Sequence, residues 1–135
     1  MSRIAFPLSF DRRFELWSYR VSHGVLLLRS NIRAGCATRI DLMFRGVTAL
    51  KLRDEYKDLV VDLLSLDAAR AELGHEMDAI QSGMFAFSIR SASGASGYVV
   101  ASSVYLSEDD MDYGEPSSID HPEFEDRVIR AAEFR

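Results

Sequence analysis

The chain has 135 residues, of which 47% are hydrophobic and 27% charged, and its formal net charge at pH 7 is −5. These values are ordinary for a globular domain and argue against general disorder. No apolar run approaches the roughly 18 residues of a membrane helix, and the N-terminal stretch IAFPL is too short for a signal peptide. The single cysteine, Cys36, excludes an internal disulfide and fits a reducing compartment. We expect one globular cytoplasmic domain over residues 1–135.

Residues 14–30, FELWSYRVSHGVLLLRS, contain the clearest structural pattern. Two runs rich in β-branched, aromatic and leucine residues flank Ser22-His23-Gly24, which predicts a β-hairpin. His23 and Gly24 are its expected loop residues, since glycine accepts the positive φ of tight turns. Side chains alternate across a strand, so one apolar set should face the core. The set consists of Trp17, Tyr19, Val21, Leu26 and Leu28.

The next two strands are predicted over residues 38–45 and 47–52, where apolar and polar residues alternate at first. Gly46 interrupts the pattern. It marks either a second tight turn or a bulge in one long bent strand.

Residues 53–82 contain a mid-chain helix pattern. A polar turn at 53–58 and a strand at 59–62 precede a short helix, for which Asp67 is the expected cap and Gly74 the expected end. Residues 75–82 fit either a continuation of the helix or a loop.

Residues 83–107 predict a second hairpin around the small-residue loop SASGAS. The first strand presents Phe85, Phe87 and Ile89 on one face. The second strand is expected to present Tyr98, Val100, Val104 and Leu106 together.

An acidic connector, residues 107–121, precedes the strongest helix pattern of the chain. Asp120 is a plausible N-cap with Glu123 three residues later, and Pro122 suits the first turn. We therefore predict an amphipathic C-terminal helix over 122–134.

Taken together, these elements predict an α+β protein. Its main feature is a curled, meander-like antiparallel sheet of six or seven strands, joined by the short mid-chain helix and the C-terminal helix. No family motif is recognisable in the sequence.

Charge is divided unevenly along the chain. Residues 1–57 carry 11 Lys/Arg and 5 Asp/Glu, a net charge of +6, whereas residues 58–135 carry a net charge of −11. The acidic half could simply pack against the basic half and neutralise it. Alternatively, four arginines that fall on the polar faces of the predicted strands could share one open sheet face and bind phosphates. These are Arg20, Arg29, Arg39 and Arg45.

The acidic connector suggests a different contact. Glu108, Asp109, Asp110 and Asp112 could meet a basic protein, as in small acidic proteins that inhibit nucleases. Our leading hypothesis is a small non-enzymatic binding or regulatory module whose partner is a basic protein or a second copy of the chain. The alternative is anion or nucleic-acid binding on the arginine face, and an unrecognised enzyme comes third.

No catalytic residues, metal site or cofactor site are predicted. The three histidines are far apart in sequence, and GHEMD fails the HExxH pattern because residue 79 is alanine. The acidic stretch departs from the spacing of a calcium loop, and no glycine-rich phosphate loop is present. Cys36 has no neighbouring motif that supplies a base, so we expect an inert thiol.

Overall fold

The computed structural model describes residues 2–33 and 35–135, and within them the chain is mainly β. The first strands in chain order are β1 (Ser2–Arg3), β2 (Leu8–Ser9), β3 (Phe14–Arg20), β4 (Val25–Ser30), β5 (Arg39–Arg45), β6 (Ala49–Lys51), β7 (Glu55–Tyr56) and β8 (Leu59–Leu63). After them come helix α1 (Leu66–Leu73), β9 (Phe85–Ser91), β10 (Ser96–Ala101), β11 (Ser103–Asp109) and β12 (Val128–Phe134).

The strands form two sheets. The seven-stranded sheet has the order β1-β12-β11-β5-β4-β3-β7, and the five-stranded sheet has the order β2-β8-β9-β10-β6. Neighbours are antiparallel except β1 and β12, which are parallel. The predicted antiparallel pairing is therefore largely confirmed. The predicted single curled sheet of six or seven strands is wrong, because the chain builds two open sheets.

The two sheets share one hydrophobic core. Leu28, Leu42 and Leu106 enter it from the seven-stranded sheet, and Val61 and Phe87 enter it from the other. The Phe87 ring is fully buried and lies near the rings of Phe6, Phe44, Phe85 and Phe134, at centroid distances of 5.5 to 6.4 Å.

The chain passes between the two sheets several times, and its crossings at Gly46 and Ser102 explain why the prediction of one sheet failed. Gly46 follows β5 with a φ of +68°, and the chain then enters β6 in the other sheet. Ser102 lies between β10 and β11 and returns the chain to the first sheet. The crossings contact each other, since the Ser102 amide donates to the Arg45 carbonyl at 2.9 Å. Gly46 thus separates two strands, as predicted, but it forms neither a hairpin turn nor a bulge in one strand.

The first predicted hairpin is present, but one of its faces was assigned wrongly. A bulge between Leu16 and Ser18 shifts the alternation of β3, so Leu16 packs against the core in place of Trp17. Val21 lies in a 3-10 turn rather than in the strand, where it is 78% exposed. The pattern could not show the bulge, because the apolar residues on both sides of it fit an unbroken alternation.

The apolar face predicted for the second strand of the second hairpin is also wrong in part, because Ser102 separates that strand into β10 and β11. Val104 and Leu106 of β11 lie in the shared core. Tyr98 and Val100 of β10 point the other way, onto the outer side of the five-stranded sheet.

Helix α1 covers that outer side, and the predicted mid-chain helix is therefore confirmed. Ala69 and Leu73 pack with Tyr98 and Val100. The cap is Ser65, whose Oγ accepts from the Ala68 amide at 3.1 Å, and not Asp67. The chain continues as a 3-10 helix over Gly74–Ala79. No helix in the described ranges has the length and apolar character needed to cross a bilayer.

The predicted C-terminal helix over 122–134 is wrong. Pro122–Arg127 forms a 3-10 helix, and Val128–Phe134 forms strand β12 between β1 and β11. The edge of β11 offers β12 a row of backbone partners, and Phe134 reaches the core with its ring centroid 4.8 Å from that of Phe85. Tertiary pairing therefore overrides a good local helix pattern.

Phe87→Ala should lower the free energy of unfolding by about 3–5 kcal/mol, because it removes a fully buried ring from the centre of the core. Urea unfolding followed by circular dichroism measures the change. Ile129→Ala is the control: this side chain is 60% exposed, and its loss should change stability by less than about 0.5 kcal/mol. Equal effects of the two substitutions would contradict the placement of the core.

Candidate functional site

Four charged side chains are buried on the outer face of the seven-stranded sheet, opposite the core. The Arg29 guanidinium donates from Nε and Nη2 to the two carboxylate oxygens of Asp41, at 2.7 and 3.0 Å. Arg39 binds Asp109 in the same way, at 3.0 and 3.1 Å. Arg39 Nη2 also lies 3.9 Å from Asp41 Oδ2, which links the pairs into one network. All four residues are at most 1% exposed.

Strand register explains this arrangement. Arg29 of β4 lies directly opposite Asp41 of β5, and Arg39 of β5 lies directly opposite Asp109 of β11. Each pair therefore occupies adjacent strands on one face, where opposite charges stabilise the pairing. Bidentate contacts of this kind suit the fixed fork of the guanidinium group.

Residues 110–127, called here the covering segment, lie over this network. Arg39 Nη1 donates to the Glu115 carbonyl at 2.6 Å, and Arg39 Nη2 donates to the Pro116 carbonyl at 2.9 Å. From the other side, Ser118 Oγ donates to Asp109 Oδ2 at 2.7 Å, and the Met111 amide donates to Asp109 Oδ1 at 3.0 Å. The Arg39–Asp109 pair thus fixes the path of the covering segment across the sheet.

Two further arginines hold the covering segment at its edges. Arg45 forms an ion pair with Asp120, and its guanidinium carbon lies 4.7 Å from the centroid of the Tyr105 ring. Arg127 Nε lies 2.8 Å from Asp110 Oδ1, and this hydrogen bond raises the pKa of Arg127 above its ordinary value.

The structure separates the four arginines that were predicted to share an open face. Arg29 and Arg39 are buried in the network, and Arg45 is paired with Asp120. Arg20, in contrast, is exposed near the end of β3 and forms no ion pair with any described carboxylate. The acidic half of the chain supplies the carboxylates that pair with Arg39 and Arg45, whereas Arg29 is neutralised by Asp41 of the basic half.

The predicted acidic residues are also largely occupied within the protein. Glu108, Asp109 and Asp110 each have a carboxylate oxygen within 3.3 Å of an arginine nitrogen. Asp112 is exposed. The stretch EDDMD thus serves mainly to neutralise arginines of the same chain.

Two cavities lie beside the 3-10 turn Ser118–Asp120 of the covering segment. The larger, here called the apolar groove, has a volume of about 520 Å³ and runs between this turn and strands β11 and β12. Its walls are mainly apolar and include Tyr105, Ile119, Pro122, Val128 and Ala131. The smaller, here called the aromatic pocket, has a volume of about 280 Å³ and lies between the covering segment and strands β3, β4 and β5.

The apolar groove has an acidic rim. Glu125 lines it, and Asp126 follows; both are exposed, and neither forms an ion pair with a described cation. Within the described residues, the Glu123 carboxylate is close to one basic side chain, with Oε1 at 3.6 Å from His121 Nδ1. The sequence did contain this acidic run, PEFED, but a helix start explains such a run equally well. The groove could not be predicted from the sequence, because β12 forms one of its walls and this stretch was predicted to be a helix.

The remaining candidates for chemistry stay isolated. In the described part of the chain, no three His, Cys, Asp or Glu side chains are grouped in a way that could hold a metal ion. Cys36 is half-buried in the loop after β4, where its amide donates to the Arg33 carbonyl at 2.8 Å.

Comparison of the chain with protein-family models, with curated proteins and with solved structures gives no match.

Arg39→Met should destabilise the protein by about 3–5 kcal/mol, because Asp109 would stay buried without its cation. The loss should also release the covering segment, which Arg39 holds through two carbonyl groups. Hydrogen exchange at 111–118 should therefore accelerate more than exchange in the core strand β9. Unchanged protection at 111–118 would show that Arg39 does not fix the segment.

The intact protein should bind neither single- nor double-stranded nucleic acid at physiological salt. Three of the four arginines are occupied by carboxylates, and the overall charge of −5 opposes phosphate. Fluorescence anisotropy with labelled oligonucleotides at increasing salt measures this. Salt-sensitive binding that weakens in Arg20→Gln would contradict the expectation.

Proposed function

We propose that this protein is a small binding module whose ligand is a basic protein, held in the apolar groove. One observation carries the proposal. An apolar groove of about 520 Å³ adjoins exposed carboxylates that have no cationic partner among the described residues. Apolar contact and negative charge therefore meet at one place on the surface.

The groove has the size and composition of a site that accepts side chains from a partner. Pockets that bind ligands are mostly apolar, with a few polar groups that fix orientation. Here Tyr105, Ile119 and Val128 supply apolar surface, and the ion-paired Arg45 lies at the wall. Ile129 adds exposed apolar area in the strand that forms one wall. Apolar anchors of a partner that enter such a groove commonly contribute most of the binding energy.

The acidic rim defines the charge of the partner. Glu123, Glu125 and Asp126 lie within one 3-10 helix beside the groove, and the whole protein carries a charge of −5. Complementary charge of this kind accelerates association and rejects acidic partners. A second copy of the chain would bring another acidic surface to the groove, so the geometry favours a basic partner of a different kind.

The rim replaces the acidic connector as the proposed contact. Glu108, Asp109 and Asp110 are already engaged with arginines, and a partner would have to break those contacts to use them. A partner could contact Glu125 and Asp126 without breaking an ion pair between described residues.

A synthetic peptide of alternating arginine and leucine tests the proposal, because it presents cationic and apolar side chains together. Titration into the isotope-labelled protein should shift the amide signals of 118–131. Binding should weaken as salt increases. The double substitution Glu125→Lys and Asp126→Lys should weaken it about tenfold, which corresponds to about 1.4 kcal/mol.

The matched control reverses the charge of two exposed carboxylates beside the five-stranded sheet, away from the groove. Glu72→Lys with Glu76→Lys changes the net charge equally but lies at helix α1 and the turn after it, and should leave binding nearly unchanged. A peptide with glutamate in place of arginine should not bind. Equal losses in both double variants would show only general attraction to an acidic protein and would refute the groove. Analytical ultracentrifugation of the protein alone completes the test. If the protein is a dimer, and if the Glu125 and Asp126 substitutions dissociate it, the groove is occupied by a second copy of the chain and not by a basic protein.

A further inference from the structure

We infer that the aromatic pocket is a separate binding site for a small aromatic anion, such as an aryl carboxylate or an aryl phosphate. Arg20 supplies the positive charge, and Trp17 supplies the aromatic wall. The site does not depend on the proposed protein partner, because it lies on the other side of the Ser118–Asp120 turn from the apolar groove.

The pocket is built by the bulge in β3. At the bulge, Trp17 and Ser18 both lie near Leu27, so Trp17 turns to the outer face of the sheet. There its ring centroid lies 4.9 Å from the Arg29 guanidinium carbon and 5.2 Å from the Tyr113 ring centroid. Leu27 and Met43 form an apolar floor. Trp17 is therefore held in place by its neighbours, although it is outside the core.

The charges that line the pocket leave one cation without a partner. The carboxylate of Asp120 is paired with Arg45, and that of Glu115 lies 3.3 Å from Arg127. Arg29 is paired with Asp41. Arg20 lines the pocket and forms no ion pair with a described carboxylate. An anion is thus the ligand that the electrostatics of the pocket favours, and a guanidinium group can hold a carboxylate or a phosphate with two hydrogen bonds.

The volume limits the ligand to a small molecule. At about 30 Å³ for each water molecule, 280 Å³ corresponds to about nine waters. One aromatic ring with one anionic group is of this size. The ring would lie against Trp17 and the apolar floor, and the anionic group would meet Arg20 at the exposed side.

Tryptophan fluorescence offers a direct test, because Trp17 is the one tryptophan in the sequence. Phenyl phosphate added to the full-length protein should change the emission and reach saturation. Arg20→Gln should weaken binding at least about tenfold, the loss expected for a charge-assisted hydrogen bond. Arg20 is exposed, so the variant should keep the unfolding midpoint of the parent protein.

Four comparisons make the result decisive. Arg90→Gln removes the same charge from an exposed position on the five-stranded sheet and should leave binding unchanged. Inorganic phosphate lacks the ring and should bind more weakly than phenyl phosphate, and benzyl alcohol lacks the charge and should also bind more weakly. Benzoate distinguishes a preference for carboxylate from one for phosphate.

The inference is overturned if phenyl phosphate gives no saturable signal, or if Arg20→Gln and Arg90→Gln bind equally well. Equal binding of inorganic and phenyl phosphate would also overturn it, because the aromatic wall would then contribute nothing. The Glu125 and Asp126 substitutions should not affect this titration. Failure of the groove and failure of the pocket are therefore distinguishable.

Discussion

The bidentate contact between Arg39 and Asp109 is the interaction on which the outer half of the molecule depends. It joins two adjacent strands, and both of its members also bind the covering segment. Burying two charges is expensive unless their remaining hydrogen-bonding groups are satisfied. Here main-chain carbonyls, an amide and the Ser118 hydroxyl satisfy them. The covering segment is therefore fixed to the sheet. It also forms one wall of each cavity.

Local patterns in the sequence predicted most of the longer strands and the mid-chain helix, because alternation and turn residues act within short stretches. They missed β7, which was predicted as a turn, and β12, which was predicted as a helix. They could not predict which sheet a strand joins. Gly46 and Ser102 each look like ordinary interruptions, yet each one carries the chain between sheets. The residues after Pro122 show the opposite problem. Their local preference is helical, but the open edge of β11 and the place for Phe134 in the core make residues 128–134 a strand.

The candidate sites were predictable in residue type but not in location. The arginines and the acidic connector were evident from the distribution of charge along the sequence. That they neutralise each other was one of two hypotheses that the sequence allowed. Register decided between them, since Arg29 and Arg39 meet Asp41 and Asp109 across strands. The groove and the pocket were invisible in the sequence. The first needs β12 beside the 118–127 turns, and the second needs a bulge that turns Trp17 outward.

The parallel pairing of β1 with β12 has a consequence for folding kinetics. It places Ser2 beside Ala132, so one edge of the seven-stranded sheet forms only after a very long loop has closed. Loop closure on this scale loses much chain entropy before any contact compensates for it, and non-local strand pairing slows folding. The hairpin of β3 and β4 needs no such closure. The β3–β4 hairpin and the β1–β12 edge of the same sheet therefore belong to different stages of folding, with the β1–β12 edge completed late.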